Sequence, residues 1–520
     1  MDDRQAPGNS TDDMHEIEEE ANTSTNASPR LSCLTPDRQA LADSMMESIT
    51  ASVSKLRSGD PPTIYKVPQR IRQGNEAAYE PKIVSIGPYH NGNKNLQAME
   101  EQKWLYLHSF LSRNTKYKLK HYLKAMSELE DETRSCYYHN IDLHLQVSNE
   151  FVKMMVLDAC FIVEFFLRFH PREHKLELLR QLREELKQNE EATEKFFFHS
   201  NGFEDPKYLT IVMVLYDMLL LENQIPFSIL HCIFKMACPI HVPHALAEMA
   251  LSFFDQLMPR NKEIEIIDSY YHLLHLFHSH LLPTSTNSKE ESNLSCNPKI
   301  KIVLNEFMKN LLMNLLIIFL PSSNQALLPI TIRQMIPCAV DLQLAAVKFK
   351  KNEELNSILN VKFSHGVLEI PLLLIDDYSE TLFRNLVAFE QCYPKANYHF
   401  TTYLVFMNFL VSTSKDAALL HRNGIIDNLL GSDEELVHLF NRLCIGIFYN
   451  FEGSYLSDVK DNVQKHCENK WNMWRASLKR NYFTNPWYAI SLFPASIALL
   501  LTMTQTFFTV FPYYRRGPSS

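Results

Sequence analysis

Glycine is scarce in this chain: 12 residues in 520, or about 2.3% against a usual ~7%. No two glycines stand two apart, so the G-x-G turn of dinucleotide-binding and kinase-type phosphate loops is excluded throughout. Scarce glycine fits helices joined by short connections and disfavours an active site built on loops. No C-x-x-C pair occurs among the 10 cysteines, and their spacing is not that of a disulfide framework. G-x-S-x-G and H-E-x-x-H are also missing. The first residues, MDDRQAPGNSTDD, offer neither a basic nor an apolar region, so the reading is of no secretory signal or transit peptide. Between Tyr482 and Tyr514 there is no charged side chain at all.

What is present sorts into three regions. Net charge is −9, and residues 1–60, with twelve acids and five bases, carry −7 of it. The rest is close to neutral and leaves no electrostatic footprint for nucleic acid. Residues 1–60 therefore read as a disordered, acidic N-terminal region, with an amphipathic helix over 36–56 placing Leu41, Met45, Ile49 and Val53 on one stripe. Residues 61–480 read as a large, mainly α domain, with a lobe break at the polar stretch 283–299. Within it, 64–68 and 79–90 read as extended chain. Helices are expected over 99–111, 151–169, 172–195 and 208–221, and Leu311–Leu320 is apolar but short. A minor β-hairpin is expected over 361–375, turning at His365–Gly366. Asp377 and Glu380, and again Ser432 and Glu435, have capping-box spacing, with Gly431 closing a preceding helix.

Residues 485–514 read as a C-terminal transmembrane anchor. Asn485-Pro486 resembles a helix start, and 487–510 would span roughly 36 Å at ~1.5 Å per residue, against a ~30 Å hydrocarbon core. Leu499, Leu500, Leu501, Phe507 and Phe508 supply apolar surface, while Trp487 and Tyr488 at one end and Tyr513 and Tyr514 at the other sit where interfacial aromatics belong. Lys470, Arg475, Lys479 and Arg480 before the span outnumber Arg515 and Arg516 after it. That bias predicts a single-pass membrane protein with its bulk in the cytosol. The partners expected are a membrane and a protein or peptide.

Candidate chemistry is thin. Gly87-Pro-Tyr-His-Asn-Gly92-Asn-Lys94 is the nearest approach to a phosphate loop, but its lysine is one residue late and Pro88 removes a donor the cradle needs. His272, His275, His278 and His280 drift across a helical face and read as surface histidines, without the i, i+4 pair of a zinc site. Cys238, His241 and His244 lie on a proline-broken connection. Asp376 and Asp377 are better explained by capping than as an acid–base pair. The sequence thus assigns no catalytic residue, cofactor or metal. The rival reading is an enzyme using Asp158, Asp217 or Glu222 as buried carboxylates with shifted pKa values, Asp158 and Asp217 being read as partly buried and paired.

With these residues in view, the chain resembles the plant-specific family called domain of unknown function 247. The resemblance runs over 64–514 and rests on IYKVP at 64–68, VSIGPYHNG at 84–92, MEEQKW at 99–104, MMVLDACFIVEFF at 154–166 and DMLLLENQIPF at 217–227. VKFKKN at 347–352, GVLEIPLLLIDDYSETLFRNLVAFEQC at 366–392, GIIDNLLGSDE at 424–434 and NYFTNPW at 481–487 continue it. Ala159 departs from the family's usual glycine, and Ala345-Ala346 from the common pattern before VKF. The resemblance implies a largely helical fold with a C-terminal membrane segment and transfers no catalytic residue. The anchor, the scarce glycine and the missing catalytic constellation predict a membrane-anchored, non-enzymatic recognition protein, and the resemblance implies, through grass members associated with pollen-side self-incompatibility, a pollen-side role for it.

Overall fold

The computed structural model describes residues 36–57, 61–113, 116–138, 141, 143–169, 208–238, 244–267, 269–283, 336–353, 357–451, 453–468, 494 and 497–509. It divides into two units, Met1–Pro61 and Pro62–Ser520. In the first, α1 (Pro36–Arg57) leaves Leu41, Met45 and Ile49 exposed to solvent.

The second unit is mainly helical. Its described helices include α2 (Gln97–Arg113), α3 (Leu119–Glu128), α4 (Ser148–Phe169), α5 (Tyr208–Asp217), α6 (Phe227–Ala237), α7 (Ala245–Phe254) and α8 (Leu273–Ser279). After them come α9 (Ser379–Cys392), α10 (His399–Leu410), α11 (Ser414–Arg422), α12 (Asp433–Leu443) and α13 (Ser457–Glu468). The central helix is α4, buried from Phe151 to Leu167 except at Lys153. A helix apolar on every face has to be surrounded, and α2, α3, α6 and α7 pack around it. Phe161 meets Tyr106 of α2 at 4.9 Å between ring centroids, and Phe166 stacks on Phe253 of α7 at 5.5 Å. One continuous core runs from Ile64 to Val463.

Local chemistry fixes several boundaries. Ser432 caps α12 by accepting the Glu435 N–H at 3.1 Å, and Leu436, Leu439, Phe440 and Leu443 then fall on its buried face. Thr413 and Asp416 form a reciprocal capping box on α11. At α9 the expected cap is displaced by one residue: Asp376, not Asp377, accepts the N–H groups of Tyr378 and Ser379, at 3.0 and 2.9 Å. Gly431 follows a strand rather than a helix.

The hairpin is present. Strand β2 (Lys362–Ser364) pairs antiparallel with β3 (Val367–Pro371) across His365–Gly366, both at positive φ as a type I′ turn requires. It sits in a larger sheet than expected, because β1 (Lys348–Asn352) adds to β3 in parallel, Phe349 opposite Leu368. A second parallel pair joins β4 (Leu373–Ile375) to β5 (Ile426–Asn428).

The structure overturns the transmembrane anchor and the single-pass location built on it. No helix among the described residues is long and apolar enough to cross a membrane. Of 485–514, the helix described continuously is 497–509, roughly 20 Å at ~1.5 Å per residue against a ~30 Å core. It holds Leu499, Leu500, Leu501, Phe507 and Phe508, all exposed, but also Gln505 and four threonines that each donate to the carbonyl four residues back. Trp487, Tyr488, Tyr513 and Tyr514 lie outside the described residues. With no span among the described residues, the charge bias that put the bulk of the chain in the cytosol has nothing there to orient. The 22-residue α4 does not substitute, since Asp158 and Glu164 sit at its centre. The stretches 172–195, 284–299 and 311–320 also fall outside the described residues.

Candidate functional site

A dense group of buried ionisable side chains lies where residues 64–90 cross the segment after α5. Helix α5 ends at Asp217, and Met218–Gln224 turn back through the core. Residues 82–87 run past this turn outside any strand described, bending at 82–83 and at Gly87. Buried N–H groups need acceptors, and side chains supply them. Asp217 takes three: Lys82 at 2.9 Å on Oδ1, then Ile83 at 2.7 Å and Val84 at 2.9 Å on Oδ2. Asn223 accepts from Ile86 at 2.6 Å and donates to the carbonyls of Val84 and Asp217, both at 2.9 Å.

Asp158 completes the row from α4. Its Oδ2 accepts the Gly87 N–H at 2.8 Å, and its Oδ1 accepts from Lys103 Nζ at 2.6 Å. That ammonium, fully buried on α2, also donates to the Ser85 carbonyl at 2.5 Å and to Glu100 at 2.6 Å, so its three donors are spent. Glu222 accepts the Val67 N–H at 2.5 Å and Arg72 Nη2 at 2.6 Å. Arg72 reaches Glu80 at 3.0 Å, and His90 Nδ1 stands 3.3 Å from the same carboxylate. Asn385 of α9 ties the turn to another segment, accepting from Leu221 and donating to Ala78, both at 2.9 Å.

The electrostatics follow burial. It pushes the Asp158 carboxyl up to about 6 against the pull of Lys103. Asp217 is likewise raised by burial to about 6, with the N–H groups of Lys82, Val84 and Ile83 opposing. Burial holds His90 below the ordinary histidine range, while Glu80 and Glu222 pull it up.

The structure therefore gathers Asp158, Asp217 and Glu222 against one stretch of backbone, fully buried and not paired with one another. Every oxygen of the three carboxylates already accepts a backbone N–H or a cation. Such groups clamp a chain segment. The glycine-rich turn at 87–92 has the same explanation, for the Gly87 N–H points at a carboxylate and is not open to a phosphate.

Of the histidine run, His272, His278 and His280 are buried and His275 is half-buried, rather than all lying on the surface. His272 Nε2 lies 3.1 Å from the Thr63 carbonyl, His278 Nε2 lies 2.7 Å from Glu390, and His280 Nδ1 lies 3.0 Å from the Leu276 carbonyl. Burial drives His272 down to about 3 and His275 to about 2. Among the described residues no group of three or more histidine, cysteine or acidic side chains could hold a metal ion. Glu390 caps α10, accepting the N–H groups of Phe400 and Thr401 at 2.9 and 2.7 Å. Sequence reasoning did not reach Lys103, Asn223, Asn385 or Glu390. For Asn223, Asn385 and Glu390 the one visible signal was a polar residue inside an apolar run, while Lys103, in MEEQKW, gave none.

A family model described as a plant protein of unknown function, DUF247, matches residues 64–501. UPF0481 protein At3g47200 of Arabidopsis thaliana is 30% identical over 459 residues, covering 86% of each chain. Putative UPF0481 protein At3g02645 of the same plant is 20% identical over 514 residues, covering 87% of this chain and 91% of the relative. No solved structure matches.

Proposed function

The chain belongs to the DUF247 family of plant proteins of unknown function, and from that premise we propose that it is a non-enzymatic recognition module for a protein or peptide partner. One observation carries the reading. The carboxylates best placed for acid–base chemistry, Asp158, Asp217 and Glu222, are spent on backbone N–H groups and cations. They stabilise a rigid body, and a rigid body is what a recognition surface needs beneath it. The role suggested by resemblance to grass self-incompatibility members is discrimination of self from non-self in pollen.

Allelic comparison tests this. A recognition protein under selection for diversity concentrates amino-acid differences at exposed positions and keeps Lys82–Gly87 and Asp217–Gln224 unchanged. Alleles from one interbreeding population, mapped onto the structure, are expected to show that excess. Differences spread evenly between buried and exposed positions sink the reading.

A further inference from the structure

Arg72, Glu80, His90 and Glu222 come from four separate segments and close into a ring. Arg72 donates from Nη1 to Glu80 Oε1 at 3.0 Å and from Nη2 to Glu222 Oε2 at 2.6 Å. Across from it, His90 Nδ1 lies 3.3 Å from Glu80 Oε2, and His90 Nε2 lies 3.7 Å from Glu222 Oε2. Three sides of the ring are at contact distance and the fourth is open. His90 and Glu222 are buried, while the Glu80 side chain is 44% exposed.

This position satisfies neither form of the imidazole. A neutral ring has one N–H and one bare nitrogen. Both nitrogens face a carboxylate oxygen, so either tautomer sets a lone pair against an acid. Nε2 is buried and meets no hydrogen-bond partner among the described residues. An imidazolium donates from both nitrogens, but it is a cation out of water. Glu80 and Glu222 face it with negative charge, Arg72 and Lys66 with positive. These sum to zero, so no net field offsets the desolvation of a further positive charge. Burial accordingly holds His90 below the ordinary histidine range.

The chain on either side of the clamp is held differently. Residues 82–87 donate their N–H groups to Asp217, Asn223 and Asp158. Beyond them, the Tyr89 hydroxyl donates to the Ile64 carbonyl at 3.3 Å, and the Asn93 N–H donates to the His90 carbonyl at 3.2 Å. Asn91 Oδ1 lies 3.1 Å from His144 Nε2. We infer that His90 is an acid-operated release for the 88–93 turn. The protonated imidazole leaves buried Glu222, swings out with the exposed Glu80, and lifts the turn while residues 82–87 stay clamped. Linkage gives the sign: once the turn opens, His90 is solvated and binds a proton that the closed turn refuses, so acid favours the open form.

The test is hydrogen exchange on the full chain from neutral pH down to about pH 5, read at single amides by mass spectrometry with electron-transfer fragmentation. Rates are corrected for the intrinsic pH dependence of exchange. The expected result is loss of protection at Asn93 that begins near pH 6.5 and reaches about three- to tenfold one pH unit lower. Val84 and Gly87, inside the clamp, are expected to show no comparable loss. His90→Gln cannot titrate, and its Asn93 protection should stay level, with circular dichroism establishing that its helices are kept. Equal loss in His90→Gln places the response on another group, such as His144 beside Asn91, and overturns the release. Loss that begins only in the carboxylate range, below about pH 5, overturns it too. So does equal loss at Val84 and Gly87, which marks opening of the whole segment. Protection at Asn93 that is flat or rises in acid means that the imidazolium stays and closes the ring, and the release is again overturned. If His90→Gln loses its helices, onset and location in the wild-type chain decide by themselves.

Discussion

Gly87 donates its backbone N–H to Asp158 Oδ2 at 2.8 Å, across 71 residues of sequence, from a φ of +73°. A Cβ at this position would run into the Gln224 carbonyl, which itself accepts the Tyr137 hydroxyl at 3.0 Å. The same contact thus needs glycine twice, for its left-handed backbone and for the space.

Gly87→Ala is accordingly expected to destabilise the domain by more than about 2 kcal/mol, beyond the ordinary cost of alanine at positive φ. Urea unfolding of wild type and variant measures it. A difference under about 0.5 kcal/mol would show that the segment shifts freely and is not clamped.

Asp217→Asn tests the other end of the clamp. The amide keeps one acceptor oxygen and presents an NH2 group toward N–H donors, so at least one of the Lys82, Ile83 and Val84 N–H groups loses its partner. At about 1–3 kcal/mol for each buried group left unsatisfied, the loss should appear in the unfolding midpoint and as faster hydrogen exchange at Ile83 and Val84. Unchanged exchange at those two amides would count against the assignment.

The helical part of this architecture was readable from periodicity and caps, because both act within a few residues. The span of α4, the Ser432 cap and the His365–Gly366 turn all belong to that class. Parallel pairing of β1 with β3 and of β4 with β5 was not readable, since strands of three to five residues carry little pattern and parallel partners lie far apart in sequence. The site was half legible. Asp158, Asp217 and Glu222 stood out as charges in apolar runs, but which groups they meet depends on contacts spanning 55 to 155 residues. Asn385 meets Ala78 across 307. The histidines misled because spacing says which helical face they share and not whether that face is covered. Uncharged length misled at the C-terminus, where hydroxyls and Gln505 share the helix with the leucines.

Stability should depend on pH in a stepped way. His272 and His275 have folded pKa values far below the ordinary 6.5 of histidine, so the unfolded chain takes up protons that the fold refuses. Their contribution is present above about 6.5 and is lost as pH falls. Asp158 and Asp217, raised from 3.8 to about 6, act in the opposite sense: their contribution is full below about 4 and disappears as pH rises through 6. Two groups of each kind nearly cancel between pH 4 and 6. A net fall of roughly 0.5–1 kcal/mol should lie between pH 7 and 6, and a second one below pH 4, where the aspartates no longer offset the histidines. Urea midpoints at half-unit intervals check this, and a flat profile between 7 and 6 refutes it.

The last prediction concerns a buried ion pair away from the clamp. Arg113 of α2 and Glu164 of α4 are both fully buried; Nε donates to Glu164 Oε2, Nη2 donates to Oε1 at 2.8 Å, and the Ser109 hydroxyl donates to the same Oε1 at 2.6 Å. Removing one partner strands the other charge in the core, so Glu164→Leu should cost about 3–5 kcal/mol. Removing both charges strands neither. The double variant Arg113→Met/Glu164→Leu is expected to recover most of that loss, leaving Ser109 as the group without its acceptor, at about 1–3 kcal/mol. A double-mutant cycle by urea unfolding separates the two terms. If the double variant is as unstable as the sum of the single ones, the coupling is zero and the two charges do not stabilise α2 against α4 through their own attraction. If it matches wild type, the pair serves to fix the alignment of the two helices, and α2 carries Lys103 to Asp158 by packing alone.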